Sequence, residues 1–409
     1  MELKTKYQYT YFIYPYMVKE NKYTKYLIKL LKNENCKLKL FEKQREPEVY
    51  AYFTPKIRNC MFSTFNFTKK QKEKLKELPV ETEAAILAEN PCTIFEYNIE
   101  NEIQGKVEEK DGIFFRIQKL EIICFNTGIC FLSIKTSIED SEKFSDILNF
   151  NYKFKNINSL NENMNLNNIK IQTDTYENIQ DFINFINELT GVNQIEIQNI
   201  DIDTQKFLTY SYACIEQSNW SNAIQFDNIK SQYIKFVKGL PNDDNVNYNC
   251  GMKIIDKWNY AKLGVTKQSV TLFSSSIDLN NYTIFPQEFE SKYLYTYILA
   301  LYIRVYLKSI NIKFKKSNMI KKNRKQFLEF TKNIWIHEIT NEDIGTLYFN
   351  YLKEVLELDD LYLNVKNEFD IFYKELNIEK NTKISIAIAV MLGLILICNI
   401  ANLLYFRNF

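Results

Sequence analysis

The longest apolar run in the chain lies at its C-terminal end. Ile384 to Phe406 reads ISIAIAVMLGLILICNIANLLYF and holds no charged residue. Thirteen of these positions are Ile, Leu, Val or Phe. At about −0.3 to −0.6 kcal/mol each, they favour insertion into lipid by roughly 4 to 8 kcal/mol. As a helix rising 1.5 Å per residue, the run is about 34 Å long, enough for a hydrocarbon core of about 30 Å. The pattern predicts one transmembrane helix over 384–406. Upstream, Ile344, Tyr348, Tyr351, Val355, Leu358, Tyr362, Val365, Phe369, Phe372 and Leu376 alternate spacings of four and three. That is a heptad seam with charged residues between its members, and it predicts a long stalk helix. Thr340 with Asp343 resembles a capping box at its start. Leu352, Leu356 and Leu363 widen the apolar surface beyond the seam. Its partners are then either other subunits or the chain's own helix at Phe289 to Ile310. That earlier segment is apolar but interrupted by Arg304, and too short to span, so it predicts a buried core helix.

The rest of the chain alternates period-two and helical patterns. Tyr7 to Tyr16, Ile94 to Ile99, Ile113 to Phe125 and Ile129 to Thr136 predict strands. Asn126-Thr127-Gly128 predicts the turn of a hairpin between the last two. Tyr23 to Leu31, Thr68 to Leu78, Glu81 to Ala88 and Glu142 to Leu148 predict helices. Tyr152 to Asn168 is Asn-rich and predicts a loop between two lobes. Beyond it, Ile169 to Gln172, Gln194 to Ile200, Phe207 to Ile215 and Val270 to Ser274 predict strands. Ile179, Phe182, Ile183, Ile186 and Leu189 predict a helix. The fold class expected is α+β: an α/β lobe over 1–155, a second over 169–285, a helical stalk region over 286–380, and the membrane helix.

Composition narrows the chemistry. The net charge of +2 gives no basic excess for nucleic-acid binding. Nine Gly in 409 residues is roughly a third of average usage, and no glycine-rich phosphate loop occurs. One histidine, His337, excludes a multi-His metal site, and the eight Cys form no C-x-x-C pair. No catalytic residue, cofactor or metal is assigned, and an enzyme is not expected. Met1 to Val18 lacks an apolar core and a small-residue cleavage site, so no secretory signal is expected.

On the membrane helix, Ser385, Ala389 and Gly393 recur every four residues, which lets helices approach closely. Asn399 and Asn402 place two amides on one face, and amides in hydrocarbon seek partners. Both features point to a homo-oligomer in the membrane; an inert anchor is the other reading. Lys374, Lys380 and Lys383 precede the span, while Arg407 alone follows it. The basic excess places the N-terminal body in the cytoplasm of a bacterial inner membrane. Lys315, Lys316, Lys321, Lys322, Arg324 and Lys325 crowd one junction. They either hold a small anionic or nucleotide ligand, or headgroups, or form a solvated loop. Glu139, Asp140 and Glu142 read as helix N-terminal acids. Trp335, His337 and Glu338 are adjacent residues that point apart and carry no catalysis.

An α/β body, long helices and a stalk entering a membrane helix resemble CorA-type divalent-cation transporters and their divergent relatives. The stretch Tyr351 to Leu404 carries the resemblance. It implies an ion-conducting or membrane-acting effector, of the kind that accompanies bacterial antiviral defence. The family's second membrane helix and Gly-Met-Asn signature are absent; Met391-Leu392-Gly393 does not match, so no functional residue carries over. A membrane-tethered scaffold with an inert anchor is the alternative.

Overall fold

The computed structural model describes residues 2–98, 103–107, 113–139, 141–155, 169–173, 176–181, 207–244, 251–315, 320–335 and 338–407. They form a mixed α/β structure around one large sheet. The strands are β1 (Thr5–Met17), β2 (Cys36–Leu38), β3 (Cys92–Tyr97), β4 (Ile103–Val107), β5 (Ile113–Phe125) and β6 (Ile129–Ile138). They continue as β7 (Ile169–Thr173), β8 (Tyr176–Asp181), β9 (Leu208–Ile215), β10 (Lys253–Trp258), β11 (Ala261–Val265) and β12 (Ser269–Ser275). Their order is β10-β11-β12-β9-β1-β6-β5-β4-β7-β8, and the second half of β5 also pairs β3, which pairs β2. Every pairing is antiparallel except β12 with β9. Because β9 pairs β1, the α/β stretches before and after the Asn-rich segment share this sheet.

Helices cover both faces. They are α1 (Tyr23–Leu31), α2 (Pro47–Tyr52), α3 (Pro55–Met61), α4 (Lys69–Glu77), α5 (Val80–Glu89) and α6 (Phe144–Lys155). Next come α7 (Ala223–Lys238), α8 (Leu294–Lys315), α9 (Ile320–Asn333), α10 (Asp343–Val355) and α11 (Leu358–Arg407). Alternation along the strands builds two cores, since successive side chains point to opposite faces. Tyr9, Tyr11 and Ile13 face α8, with Leu301, Tyr302 and Tyr348. Phe12 and Tyr16 face α1 and α6, with Leu27, Leu30, Phe150 and Phe154. The helix expected at Phe289 to Ile310 is a core helix: from Leu294 to Ile303 every residue is buried. Its first turn is wider than an α-helix, because Phe289–Tyr293 forms a π turn.

Some expectations need correction. Tyr176–Asp181 is strand β8, so Ile179 does not begin a helix; its pairing with β7 overrode the helical spacing. Residues 182–206 lie outside the described set, and with them the rest of that helix and the strand at Gln194 to Ile200. The seam from Ile344 to Leu376 is not one helix. It breaks after α10, where Glu357 adopts φ 57°, the only non-glycine positive φ among the described residues. Leu356 and Leu358 on either side are fully buried. Their burial holds a left-handed residue that costs about 1 to 2 kcal/mol. The Glu357 carboxylate also meets Lys267 Nζ at 2.6 Å, which holds it below the usual carboxylate range. The capping box at Thr340 is also absent: the N-cap of α10 is Glu342, and Thr340 Oγ1 accepts from the Glu342 backbone N–H.

Beyond the joint, the first turns of the seam pack on the chain itself. Val365 is buried, and Tyr362 and Phe369 pack against the α8-side core. Past Tyr373, whose ring meets Arg324, the helix leaves the body, with Ile378 and Ile384 exposed. The stretch Lys380–Ala401 is long and apolar enough to cross a membrane, and none of it is buried.

Candidate functional site

One cleft opens where α9 crosses the body. It encloses about 480 Å³. Glu20 before α1, Lys56, Asn59 and Cys60 on α3, and the Asn126-Thr127 turn form one wall. Tyr306 and Ser309 on α8, with Gln326, Glu329, Phe330, Lys332 and Asn333 on α9, form the other. The turn is held by Gly128 at φ 85°, where a Cβ would lie 2.2 Å from the Val18 carbonyl oxygen. No other residue type fits that backbone.

Inside the cleft, Gln326 Nε2 donates to Glu20 Oε1 at 2.9 Å, tying α9 to the segment before α1. Tyr306 Oη donates to the Gln326 carbonyl at 3.1 Å, and its ring stacks on Phe330 at 4.4 Å. Lys56 Nζ donates to the Trp335 carbonyl at 3.3 Å. Burial pushes the Cys60 thiol up to about 12, against the opposing pull of Lys56, so it stays protonated and unreactive near neutrality. Lys56, Lys332 and the amides of Asn59 and Asn333 suit a small polar ligand rather than covalent chemistry.

The opposite side of α9 grips α11. Trp335 stacks on Tyr362 at 4.1 Å with the rings 7° from parallel. Phe327 meets Tyr362 and Phe369 at 5.7 and 5.5 Å. Arg324 places its guanidinium 5.8 Å from the Phe369 ring and 4.6 Å from that of Tyr373. Helix α9 therefore bridges the cleft and the helix that continues into the apolar stretch.

These placements account for several residues singled out in the sequence. Arg324 is committed to the rings of α11, and Lys325 Nζ lies 3.8 Å from Glu329. Lys316 lies outside the described residues, as do the side chains of Lys315, Lys321 and Lys322. Glu139 pairs with Arg116 at 3.4 Å, and Asp140 is outside the described residues. His337 is also outside them, and Trp335 serves packing. Ser385, Ala389, Gly393 and Asn399 all lie exposed on α11; a Cβ on Gly393 would touch nothing. Asn402 lies on the same helix, its side chain outside the described set.

A second polar assembly lies under the π turn and was not legible in the sequence. A bulge between Ile117 and Lys119 shifts the register, so Lys119 sits opposite Lys135 on the α8 face. Two like charges at that spacing repel. Glu290, presented by the π turn, lies between them, 2.6 Å from Lys135 and 3.9 Å from Lys119. Tyr11 also donates to Glu290. Glu121, fully buried, meets Lys39 at 2.7 Å and Lys119 at 3.2 Å, and Tyr295 Oη donates to it at 3.3 Å. Burial pushes the Glu121 carboxyl up, but Lys119 and Lys39 outweigh it and hold the group at about 2. Burial likewise works against Lys39 and Lys119, yet the carboxylate leaves both raised.

Comparison with protein-family models, curated proteins and solved structures returned no match. The functional reading therefore rests on the chain's own geometry.

Proposed function

We propose that this protein is a C-terminally anchored, single-pass membrane protein whose cytoplasmic body receives a small polar ligand and signals through α11. The single supporting observation is the continuity of α11, in which Lys380–Ala401 lies fully outside the body and carries no charge from Ile384 onward. An 18-residue apolar window exposed to water would be a large aggregation liability, and lipid removes it. The cleft at Tyr306 supplies the receiving end, because α9 lines it and also holds α11 through Trp335 and Phe327. In this reading the anchor assembles as a homo-oligomer through the Ser385–Ala389–Gly393 face and Asn399, and acts on the bacterial inner membrane, as a CorA-like ion-conducting assembly does.

Two measurements test it on the full chain. Alkaline carbonate should leave the protein in the membrane pellet; release into the supernatant would defeat the anchor. Among the described cysteines, Cys398 alone is exposed, and it lies in the span. In a Cys250→Ser background, oxidative cross-linking at Cys398 should yield a dimer at protein-to-lipid ratios too low for chance collisions. Monomer under those conditions would defeat the oligomer.

A second reading, a tethered scaffold with an inert anchor, is favoured by the seam: as far as Phe369 it is occupied by the chain's own α8 and α9. Replacing Ile384 to Phe406 with poly-Leu separates the two, since a scaffold keeps its cellular activity and a signalling helix loses it.

A further inference from the structure

The junction of α8 and α9 carries a dense run of positive charge. Seven bases lie from Lys313 to Lys325, and no acidic residue occurs between Glu290 and Glu329. Helix α9 opens on Ile320, Lys321 and Lys322, with no acid in its first turn. That placement opposes the helix dipole, which favours anions at an N-terminus. These bases do not serve the helix itself.

The packing of α9 shows where the run lies. Trp335 meets Tyr362, Phe327 meets Tyr362 and Phe369, and Arg324 meets Phe369 and Tyr373. Partners on α11 advance as numbers on α9 fall, so the two helices are antiparallel and α9 begins at its membrane-directed end. Helix α8 runs the other way. Lys308 acts on the Glu357 carboxylate, and the Asn311 amide lies 3.0 Å from Glu368. Lys315 closes α8 one turn beyond Asn311. Ile320 stands four rises of 1.5 Å, about 6 Å, nearer the apolar stretch than Arg324. Tyr373 is seven residues from Lys380, so α9 starts within about 10 Å of the level where that stretch begins. The screening length at physiological salt is about 8 Å, so charges there feel a charged surface. Lys325 is solvated, its side chain 81% exposed, and its pair with Glu329 at 3.8 Å is loose.

We propose that the α8–α9 end of the body docks on anionic headgroups of the bilayer that holds the anchor. The inference rests on the anchor reading, since the span sets the height of this end. Bases spread over two helix ends suit a field of headgroups; one small anion would need them to converge. Each base near an anionic surface weights the docked state by about fivefold. Docking fixes the tilt of the body over the membrane. It also carries a change in surface charge to α9, which lines the Tyr306 cleft.

The test uses the full chain in lipid vesicles. An environment-sensitive dye is attached at Asn323→Cys, in the first turn of α9. The background is Cys250→Ser with Cys398→Ser, and the remaining cysteines are buried. Quenching by lipid with a nitroxide headgroup reads contact of this end with the surface. Adding phosphatidylglycerol to phosphatidylcholine should raise quenching by about twofold or more. Salt at about 1 M, with a screening length of about 3 Å, should reverse the rise. The combined variant Lys315→Gln, Lys321→Gln, Lys322→Gln and Lys325→Gln should lose the rise. Arginine at the same four positions should keep it; thermal melts confirm that both variants fold. Quenching in the parent that ignores phosphatidylglycerol, or a rise that the Gln variant retains in full, would overturn docking. An equal rise on adding inorganic phosphate to neutral vesicles would overturn the lipid assignment. Release by carbonate defeats the anchor reading, whereas a pelleted protein with an indifferent dye defeats this inference alone.

Discussion

Glu121→Gln removes one negative charge from the interior and leaves its surroundings unchanged in shape. In the parent, the carboxylate sits between two ammonium groups at 2.7 and 3.2 Å. Its titration lies at about 2, against an ordinary value of 4.5. A difference of that size corresponds to about 3 kcal/mol of folded-state stabilisation of the charged form. Removing one partner from a buried ion pair costs about 3 to 5 kcal/mol, an independent figure of similar size. Both point to roughly 3 kcal/mol lost in Glu121→Gln, or, at the unfolding entropy typical of a chain of 409 residues, a melting point lower by roughly 3 to 4 °C. The sign of the pH dependence follows from the depressed value. The stabilisation is complete above the ordinary carboxylate range and is lost as pH falls from about 4.5 toward 2, so the gap between variant and parent should close over that interval. Adding Lys119→Gln should recover part of the loss, because the two residues share one network. Differential scanning calorimetry of the full chain in micelles measures each quantity. A Glu121→Gln protein melting within about 1 °C of the parent at pH 7 would refute the account of a charge network that holds the sheet to α8.

Other changes probe other layers. Gly128→Ala should cost about 1 to 3 kcal/mol, since the new Cβ would meet the Val18 carbonyl at a positive φ; urea titration reads the midpoint. Trp335→Ala removes the ring that stacks on Tyr362 and should cost about 3 kcal/mol or more; limited proteolysis should then cut between α9 and α10 faster than in the parent. Val390→Arg with Leu394→Arg places two charges at mid-span at about 2.5 to 3.5 kcal/mol each, enough to cancel the apolar drive. Carbonate should then release the variant, and retention in the pellet would show that something other than the span holds the protein to the membrane.

The readable parts of the sequence were those whose periodicity is strong and whose length is decisive. The apolar run at the C-terminus, the core helix near Tyr297, the hairpin at Asn126-Thr127-Gly128 and the strand at Phe207 to Ile215 all carry such signals. Strands β2, β10 and β11 were missed because they are short and mixed in polarity: Lys253–Trp258 reads KIIDKW, and only sheet pairing makes it a strand. The break at Glu357 was invisible because no Gly or Pro marks it, and burial of Leu356 and Leu358 sets it instead. The candidate cleft was hidden for the same kind of reason. Glu20, Lys56, Tyr306 and Gln326 are distant along the chain, and only the docking of α9 brings them to one place. Likewise the meeting of Lys119 with Glu290 depends on a one-residue bulge and a π turn, neither of which leaves a mark in composition.

The uninterrupted α11 has a geometric consequence. Between Tyr373, whose ring still meets Arg324 of the body, and Lys380, where the stretch able to cross a membrane begins, lie seven rises of 1.5 Å, so a body anchored by that stretch would stand about 10 Å off the lipid on a helical rod. A rod transmits azimuth as well as distance. Inserting one residue between Tyr373 and Ile378 would swing the whole body about 100° around the helix axis, whereas four residues would return it to within about 40° and lift it by about 6 Å. Neighbouring bodies that must face one another in the bilayer plane would tolerate the second insertion far better than the first.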